Sequence, residues 1–409
     1  MREIRKIRDD LLLIHAEDAA FTLSQRALAA EAPNYRLIDL YDLEQRLIGH
    51  LDALVLADKA GLEIAEAEAV SGDLDAVAVL THVALRQRHR NMIAKITFSD
   101  GDLPTLCRRI AEAAMWYSHD ELALVMSDWI NGSVPFRMIA LEICSLRRID
   151  PRHYLTIAIT DADPMVQARA ITLAGELGRT DCLSQLREIG GDEADLAAVR
   201  LGDDTAARRL FDVDRFPARS QTARCFAETL PLVLPREEAI VAVRGLLEEP
   251  ATRRWGVVAI GALGWMAGLQ GLLAVMSEPL HARVAVSAFE QITGLYVAHE
   301  DLEMKDFPED PEGPPIGILE SFIDANTPWP DVERFGAWLE QNASRYSEEE
   351  RLLLGVAAWT FKGTPEPWVK YQARHRWVAT SQALQRPDAM LPNHISPVYI
   401  EGTQFTRSW

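Results

Sequence analysis

Residues 163–178, DPMVQARAITLAGELG, have the pattern of one complete amphipathic helix. The apolar side chains recur at intervals of three and four positions, which places them on one stripe: Val166, Ala170, Leu173 and Leu177. Asp163 is a favourable N-cap residue ahead of a first-turn proline, and Gly178 can take the left-handed conformation that ends a helix. The sequence therefore predicts a helix with a defined start, a buried face and a defined end.

The same pattern returns further along the chain. Residues 249–264, EPATRRWGVVAIGALG, repeat it 86 positions later, and residues 278–293, EPLHARVAVSAFEQIT, repeat it 29 positions after that. Because 86 is close to three times 29, two degenerate copies are expected between them. A period of this length is typical of stacked helix pairs. We predict an all-α fold, a right-handed α-solenoid of HEAT-like helix pairs, with Ala170 and Gly256 where neighbouring helices approach closely.

Apolar periodicity and the positions of glycine and proline divide the chain into four parts. These are an N-terminal helical region (1–131), the HEAT-like repeats (132–298), an acidic proline-rich loop (299–315) and a helical C-terminal cap with a tail (316–409). The loop has too few apolar side chains to pack a face. It is therefore expected to be mobile and to be the first site of proteolysis.

The C-terminal part is rich in tryptophan, and its large rings are expected to cover the last repeat. Six of the ten tryptophans lie there: Trp329, Trp338, Trp359, Trp368, Trp377 and Trp409. Helices are predicted over residues 331–341, 347–358 and 365–385. The only sheet expected is a short pairing within the last twenty residues, around 397–400.

Composition indicates a globular chain, since 48% of the 409 residues are hydrophobic and 25% are charged. No apolar run approaches the length of a membrane span, and charges follow too soon after the first short apolar run for a secretory signal, so a cytoplasmic location is expected. The four cysteines are far apart and form no CxxC pair: Cys107, Cys144, Cys182 and Cys225. Buried free thiols are favoured over a metal or redox role.

The net charge of −19 is concentrated in one stretch. Residues 300–350 contain fifteen acidic residues and three basic ones. This balance repels nucleic acid and favours a basic protein partner, although a solvated face is a simpler alternative. The loop acids form the first group of candidate partner-binding residues: Asp301, Glu303, Asp306, Glu309, Asp310 and Glu312. They lack the ligand order and the central glycine of an EF-hand, so a calcium site is not predicted.

A second candidate group combines basic and aromatic residues near the C-terminus. Its members are Trp368, Tyr371, Arg374 and Trp377, with Lys370, His375 and Arg376 among them. Such a mixture could stack on and neutralise a nucleic acid. The acidic net charge and the short length of the patch count against this, and an amphipathic helix with its bases on the wet side explains the pattern equally.

The motifs of common catalytic sites are absent from the sequence. There is no GxxxxGK[ST], GxSxG or HExxH pattern. His82 and His89 are seven positions apart, which is about 10 Å along a helix and too far for two ligands to share a metal without others. His50 lies in an apolar helix and is expected to be a hydrogen-bonded core residue. We therefore predict no catalytic, cofactor-binding or metal-binding residues.

Three segments resemble a known family. Residues 15–28 (HAEDAAFTLSQRAL) and 40–61 (LYDLEQRLIGHLDALVLADKAG) resemble the opening of a family of HEAT-like repeat proteins from bacterial type VI secretion gene clusters. Residues 328–355 resemble that family's C-terminal region, and the central repeats are of the bilin-lyase type. The final stretch, LPNHISPVYIEGTQFTRSW, departs from the family pattern.

The resemblance implies a non-catalytic accessory that binds a secreted effector or toxin, either as an adaptor or as an immunity protein. Two other functions follow from repeat type alone. Phycobilin lyases use the same repeats, which would make the chain an enzyme acting on tetrapyrroles. The HEAT-like DNA glycosylases would make it a nucleic-acid-binding protein, and the strongly negative charge makes nucleic acid an unlikely partner.

Overall fold

The computed structural model describes residues 8–70, 72–89, 103–210, 216, 220–306, 308–309, 311, 313, 316–361, 372–384, 386, 388 and 390. Within these ranges the fold is all-α, with twenty α-helices, four short 3₁₀ turns and a single two-stranded hairpin. None of the described helices combines the length and apolarity needed to cross a bilayer. The described residues form two compact units. The first is Arg36–Leu173 with the residues before Glu31, and the second is Glu31–Tyr35 with the described residues from 174 to 390.

Eight described helices form the first unit. These are α1 (Asp9–Ala29), α2 (Leu37–Leu56), α3 (Lys59–Ala69), α4 (Leu74–Arg86), α5 (Leu103–Ala113), α6 (His119–Trp129), α7 (Val134–Arg147) and α8 (His153–Ala158). Helix α1 packs against α2, α3 and α4, and α5 packs against α4 and α7. The α2 leucines at three- and four-residue steps are all buried: Leu40, Leu43, Leu47, Leu51 and Leu54. Their burial places one stripe of α2 in the core of this unit.

Helix α9 (Pro164–Glu176) crosses the boundary between the two units. Asp163 Oδ1 accepts hydrogen bonds from the backbone N–H groups of Met165 (3.0 Å) and Val166 (3.2 Å), which is the predicted N-cap. Gly178 has a φ of +66°, the left-handed conformation expected after the helix. The predicted stripe is buried, and Ala170 is fully buried within it. The helix predicted from residues 163–178 is thus confirmed at both ends.

The second unit continues the chain of helices. It contains α10 (Leu183–Ile189), α11 (Asp192–Arg200), α12 (Asp204–Leu210), α13 (Ser220–Val233), α14 (Arg236–Glu248), α15 (Arg253–Leu263), α16 (Met266–Val275), α17 (Ala282–Thr293), α18 (Ile318–Ala325), α19 (Val332–Asn342) and α20 (Gln372–Leu384). Helices α11, α13, α15 and α17 follow one another side by side, while α14 and α16 each contact the helices before and after them in sequence. Alternate helices therefore form two layers of consecutive helix pairs.

Close helix approaches recur at the repeat spacing. A Cβ atom at Gly175 would lie 3.0 Å from Ala197 Cα, and a Cβ atom at Gly261 would lie 3.0 Å from Ala288 Cα. The two glycines are 86 positions apart in sequence and each faces the next helix of its layer. Gly256 is also tightly packed, because a Cβ there would lie 3.0 Å from the backbone and the side chain of Leu247. The predicted close approach at Gly256 is confirmed.

The helix predicted over residues 347–358 is wrong. This region forms an antiparallel hairpin of β1 (Leu352–Leu353) and β2 (Val356–Ala357), joined by two residues with positive φ. The hairpin backbone terminates two repeat helices: Leu352 N–H donates to Gly264 O (2.6 Å), and Leu354 N–H donates to Gln291 O (2.7 Å). These bonds satisfy carbonyl groups that a helix end leaves unpaired, and a helix here could not supply them. The sheet expected around 397–400 lies outside the described residues.

The predicted acidic loop is partly anchored. Met304 N–H donates to Trp329 O (2.9 Å), and Asp331 N–H donates to Leu302 O (2.9 Å), so residues 302–304 pair with 329–331. Of the six C-terminal tryptophans, Trp329 and Trp377 are buried, Trp338 is half-buried and Trp359 is exposed, and the other two lie outside the described residues. Three cysteines are buried as predicted, and Cys225 is partly buried.

Candidate functional site

Three arginines occupy the same position in three successive repeats of the second unit. Arg224, Arg254 and Arg283 are 30 and 29 positions apart and belong to α13, α15 and α17. Since these helices pack side by side, the repeat brings three guanidinium groups to corresponding positions. We call these three residues the arginine row.

Helix α18 and the residues just after it contact every member of the arginine row. Arg224 Nε donates to Glu320 Oε1 (3.1 Å), and Arg254 Nη1 and Nη2 donate to the two carboxylate oxygens of Asp324 (2.8 and 2.7 Å). The guanidinium carbon of Arg283 lies 4.5 Å from the centroid of the Trp329 ring, within reach of a cation–π interaction. The Glu320 carboxylate is 1% exposed and the other anchors are also buried. The acidic face of α18 thus contacts two arginines of the row, and Trp329 contacts the third.

A buried cluster of charged side chains adjoins the arginine row. Arg376 of α20 donates to Glu31 and, through Nη2, to Glu228 Oε1 (2.9 Å). Glu228 lies one helical turn after Arg224 on α13. Burial and the positive charge of Arg376 lower the pKa of Arg224. Burial also acts to lower the pKa of Arg376, but the negative charges of Glu228 and Glu31 outweigh it and raise that pKa. Every guanidinium in this cluster stays charged at neutral pH and depends on carboxylate partners.

The cavity between these side chains is small. It measures about 40 Å³ and is lined by the charged residues just described together with apolar side chains such as Trp255 and Trp377. That volume accommodates a few water molecules, whereas sites for drug-sized ligands measure roughly 300–1,000 Å³. This cavity therefore has no room for a tetrapyrrole. A larger depression, of about 490 Å³, is lined by Arg187, Asp203, Arg209 and Asp195, which pair with one another.

The structure places four of the six predicted loop acids in solvent. Asp301, Glu303, Asp306 and Glu309 are exposed, and Asp301 Oδ2 accepts a hydrogen bond from Arg334 Nη1 (3.0 Å). The remaining two, Asp310 and Glu312, lie outside the described residues. Further exposed acids follow in the same stretch: Glu333, Glu340, Glu348, Glu349 and Glu350.

The predicted basic and aromatic group is not an open surface where it is described. Arg374 donates to the backbone oxygens of Gly294 (3.0 Å) and Leu295 (2.6 Å), which holds the end of α17. Trp377 is buried in a small apolar cluster with Leu353, Leu354, Ala358 and Val378. Trp368 and Tyr371 lie outside the described residues. Arg374 and Trp377 therefore serve packing and helix termination rather than an exposed stacking platform.

Two histidines considered in the sequence, His82 and His50, lie in helices of the first unit. His82 is buried, its Nδ1 lies 3.3 Å from Ala113 O, and burial lowers its pKa to about 4. His50 is half-buried, and its Nδ1 lies 3.0 Å from His15 Nδ1. Among the residues whose placement is described, no group of three histidine, cysteine, aspartate or glutamate side chains is arranged to hold a metal ion.

Comparisons of the chain with family models, with curated proteins and with solved structures find no significant match. The resemblance to HEAT-like proteins of type VI secretion clusters therefore stays a prediction. The charged contacts of the second unit and the exposed acids of residues 300–350 are the features on which a functional proposal can rest.

Proposed function

We propose that this chain is a non-catalytic scaffold that binds a basic protein. In this proposal the helix pairs form a right-handed HEAT-like α-solenoid with a tryptophan-rich C-terminal cap. The partner is a basic effector or toxin of a type VI secretion cluster, and the chain acts in the cytoplasm as its adaptor or immunity protein. The nucleic-acid alternative is weaker, since the arginines of the inner cavity already have carboxylate partners. The bilin-lyase alternative is weaker, since that cavity is small and the larger depression is lined by paired charges rather than by the apolar side chains typical of ligand pockets.

One observation carries the proposal: the two kinds of charge are used differently. Buried carboxylates of the second unit such as Asp324 and Glu228 are paired with arginines, whereas most other described acids of residues 300–350 are exposed and have few bases beside them. Of the three bases in the stretch, Lys305 and Arg345 are exposed and Arg334 is bonded to Asp301. Uncompensated surface charge of one sign steers an oppositely charged partner and accelerates its association.

The proposal is tested with two charge-reversal variants of equal net change. Asp306→Lys with Glu309→Lys alters the acidic stretch, and Glu17→Lys with Glu66→Lys alters exposed acids of the first unit. The partner is first identified by affinity purification from native cells, and its association rate with each purified variant is then measured at two salt concentrations. We expect the first variant to associate at least about tenfold more slowly at low salt, with a weaker salt dependence.

The control variant is expected to associate at the wild-type rate. If both variants associate equally fast, the acidic stretch only keeps the protein soluble, and the proposed binding site is wrong. Failure to capture any basic protein would contradict the predicted partner class.

A further inference from the structure

Helix α18 contacts the arginine row as a bound peptide ligand would. Three consecutive repeats contribute one arginine each. A single short segment contacts these arginines in sequence order, through Glu320, Asp324 and Trp329. Acidic residues four positions apart lie on one face of a helix, so both carboxylates point toward the row together. We propose that the arginine row is a recognition groove for an acidic helical segment of a partner protein, and that α18 occupies this groove in cis.

The chemistry of the row defines what can replace α18. Arg254 and Asp324 have side chains that are 8% and 9% exposed, so removing the carboxylate alone leaves a buried, uncompensated guanidinium. A ligand that brings two carboxylates at the same spacing restores a partner to both arginines once it has replaced α18. Neutral or basic segments cannot do this. The groove therefore selects a helix with acids at i and i+4 and an aromatic residue shortly after it.

Helix α18 is suited to leave the groove. It has eight residues, which is too short for a helix to be stable by itself in water, and its outer face is open at Ile318, Ser321 and Ala325. Gly317 precedes it with a φ of +90°, a backbone conformation that favours glycine and that marks a turn at the start of the helix. In the described part of the chain no other helix makes an extensive backbone approach to α18, so side chains hold it in place.

Attachment in cis protects the groove from weak ligands. A tethered segment competes at an effective concentration in the millimolar range, so a free peptide of equal intrinsic affinity binds little of the wild-type protein. Weakening the α18 contacts should open the same groove to that peptide. This inference is independent of the basic partner proposed above, because the ligand must have the opposite charge and binds at different residues.

The test uses a fluorescent peptide copied from residues 316–331, IGILESFIDANTPWPD. Its binding is measured by fluorescence anisotropy to the wild-type protein and to a released variant, Glu320→Gln with Asp324→Asn. A control variant, Glu348→Gln with Glu349→Gln, removes two exposed acids from the same unit. We expect the released variant to bind the peptide at least about tenfold more tightly than the wild type or the control variant.

Specificity is tested in the peptide and in the groove. The peptide with the same Gln and Asn substitutions should lose at least about tenfold in affinity for the released variant, and so should the native peptide when Arg254→Gln is added to that variant. Equal binding of native and neutral peptides would overturn the proposal. So would binding of a sixteen-nucleotide single strand in place of the peptide, which would make the row a nucleic-acid site.

A second measurement uses the wild-type protein and does not depend on the folding of a variant. Hydrogen exchange of the α18 amides is followed while the native peptide is added in millimolar excess. Displacement predicts a saturable rise in exchange of Ile318–Ala325, with no change in α14, which the groove does not use. If α18 exchange stays constant while circular dichroism shows a folded protein, α18 is a fixed structural element and the proposal fails.

Discussion

Arg254 of α15 and Asp324 of α18 form a two-point ion pair across 70 positions of sequence, with nitrogen–oxygen distances of 2.8 and 2.7 Å. The pair joins a repeat helix to a segment that the repeat itself does not contain. Because both side chains are buried, each charge depends on the other for the hydrogen bonds that water would have supplied. The pair is therefore a specific element of the second unit as well as a candidate recognition contact.

Breaking this pair from one side should destabilise the protein strongly. We expect Asp324→Ala to lower the free energy of unfolding by about 3–5 kcal/mol, because it leaves the Arg254 guanidinium buried without a carboxylate. The double variant Arg254→Met with Asp324→Leu should regain most of that loss. Urea unfolding monitored by circular dichroism provides the measurement. As a control, Glu238→Ala breaks the exposed pair with Arg208 and should change stability by less than about 1 kcal/mol.

Two glycine substitutions should have opposite effects. At Gly261 an added Cβ would lie 2.8 Å from Gln291 Oε1 and 3.0 Å from Ala288 Cα, so Gly261→Ala should force α15 and α17 apart and lower the melting temperature. Gly271 lies within α16, and a Cβ there meets nothing within 4 Å. Gly271→Ala should raise stability by about 0.5–1 kcal/mol through helix propensity. A loss of stability at both positions would contradict the helix register described here.

The substitution Ala170→Leu tests the same packing in α9. Ala170 is fully buried on the predicted stripe, so the larger side chain should overpack the site and reduce the free energy of unfolding by roughly 1–3 kcal/mol. Calorimetric melting would show the difference. Thr172→Leu on the same helix is a suitable control, since Thr172 is only half-buried and should tolerate the change better.

The sequence predicts the features that depend on neighbouring residues. Asp163 and Gly178 lie within one turn of the helix ends that they define, so their roles can be read from local spacing. The hairpin at Leu352 could not be predicted, because it is stabilised by the carbonyl of Gly264, which is distant in sequence. There a non-local backbone pairing overrides the helical pattern of residues 347–358.

The candidate site shows the same division. The 30- and 29-residue spacing of the arginine row is present in the sequence and is a direct consequence of the repeat. The pairing of the row with Glu320 and Asp324 cannot be seen in the sequence, since nothing there distinguishes these two residues from the other acidic residues of 300–350. Asp306 of the predicted loop is exposed, whereas Glu320 is buried against an arginine that is distant in sequence.

Glu290 should make stability depend on pH. It is buried in α17, its Oε1 accepts the Val297 N–H (2.9 Å), and burial raises its pKa from 4.5 to about 7. The folded state therefore holds a proton that the unfolded state releases, so stability falls as pH rises from about 4.5 to 7 and is constant above that range. The total effect is about 3 kcal/mol. Glu290→Gln should flatten this part of a urea-unfolding pH profile and stabilise the protein at pH 8.

His82 should make stability depend on pH in the direction opposite to Glu290. It is buried in α4, and burial lowers its pKa from 6.5 to about 4, so the unfolded state binds a proton that the folded state excludes. Stability is then complete above pH 6.5 and falls as pH drops toward 4. We expect the imidazole resonances of His82 to show no midpoint above pH 5 by NMR. A His82 midpoint near 6.5 would contradict its burial.

Limited proteolysis should distinguish the anchored part of residues 299–315 from the exposed part. Leu302 and Met304 are held by backbone bonds to Asp331 and Trp329, while Lys305 is exposed just beyond them. Trypsin needs an extended, accessible backbone, so we expect its earliest cut among the described residues to follow Lys305. Mass spectrometry of early fragments identifies the site, and Lys305→Gln should remove that cut without changing the melting temperature. An earliest cut within the described helices of residues 163–295 would contradict the stability assigned to the repeats.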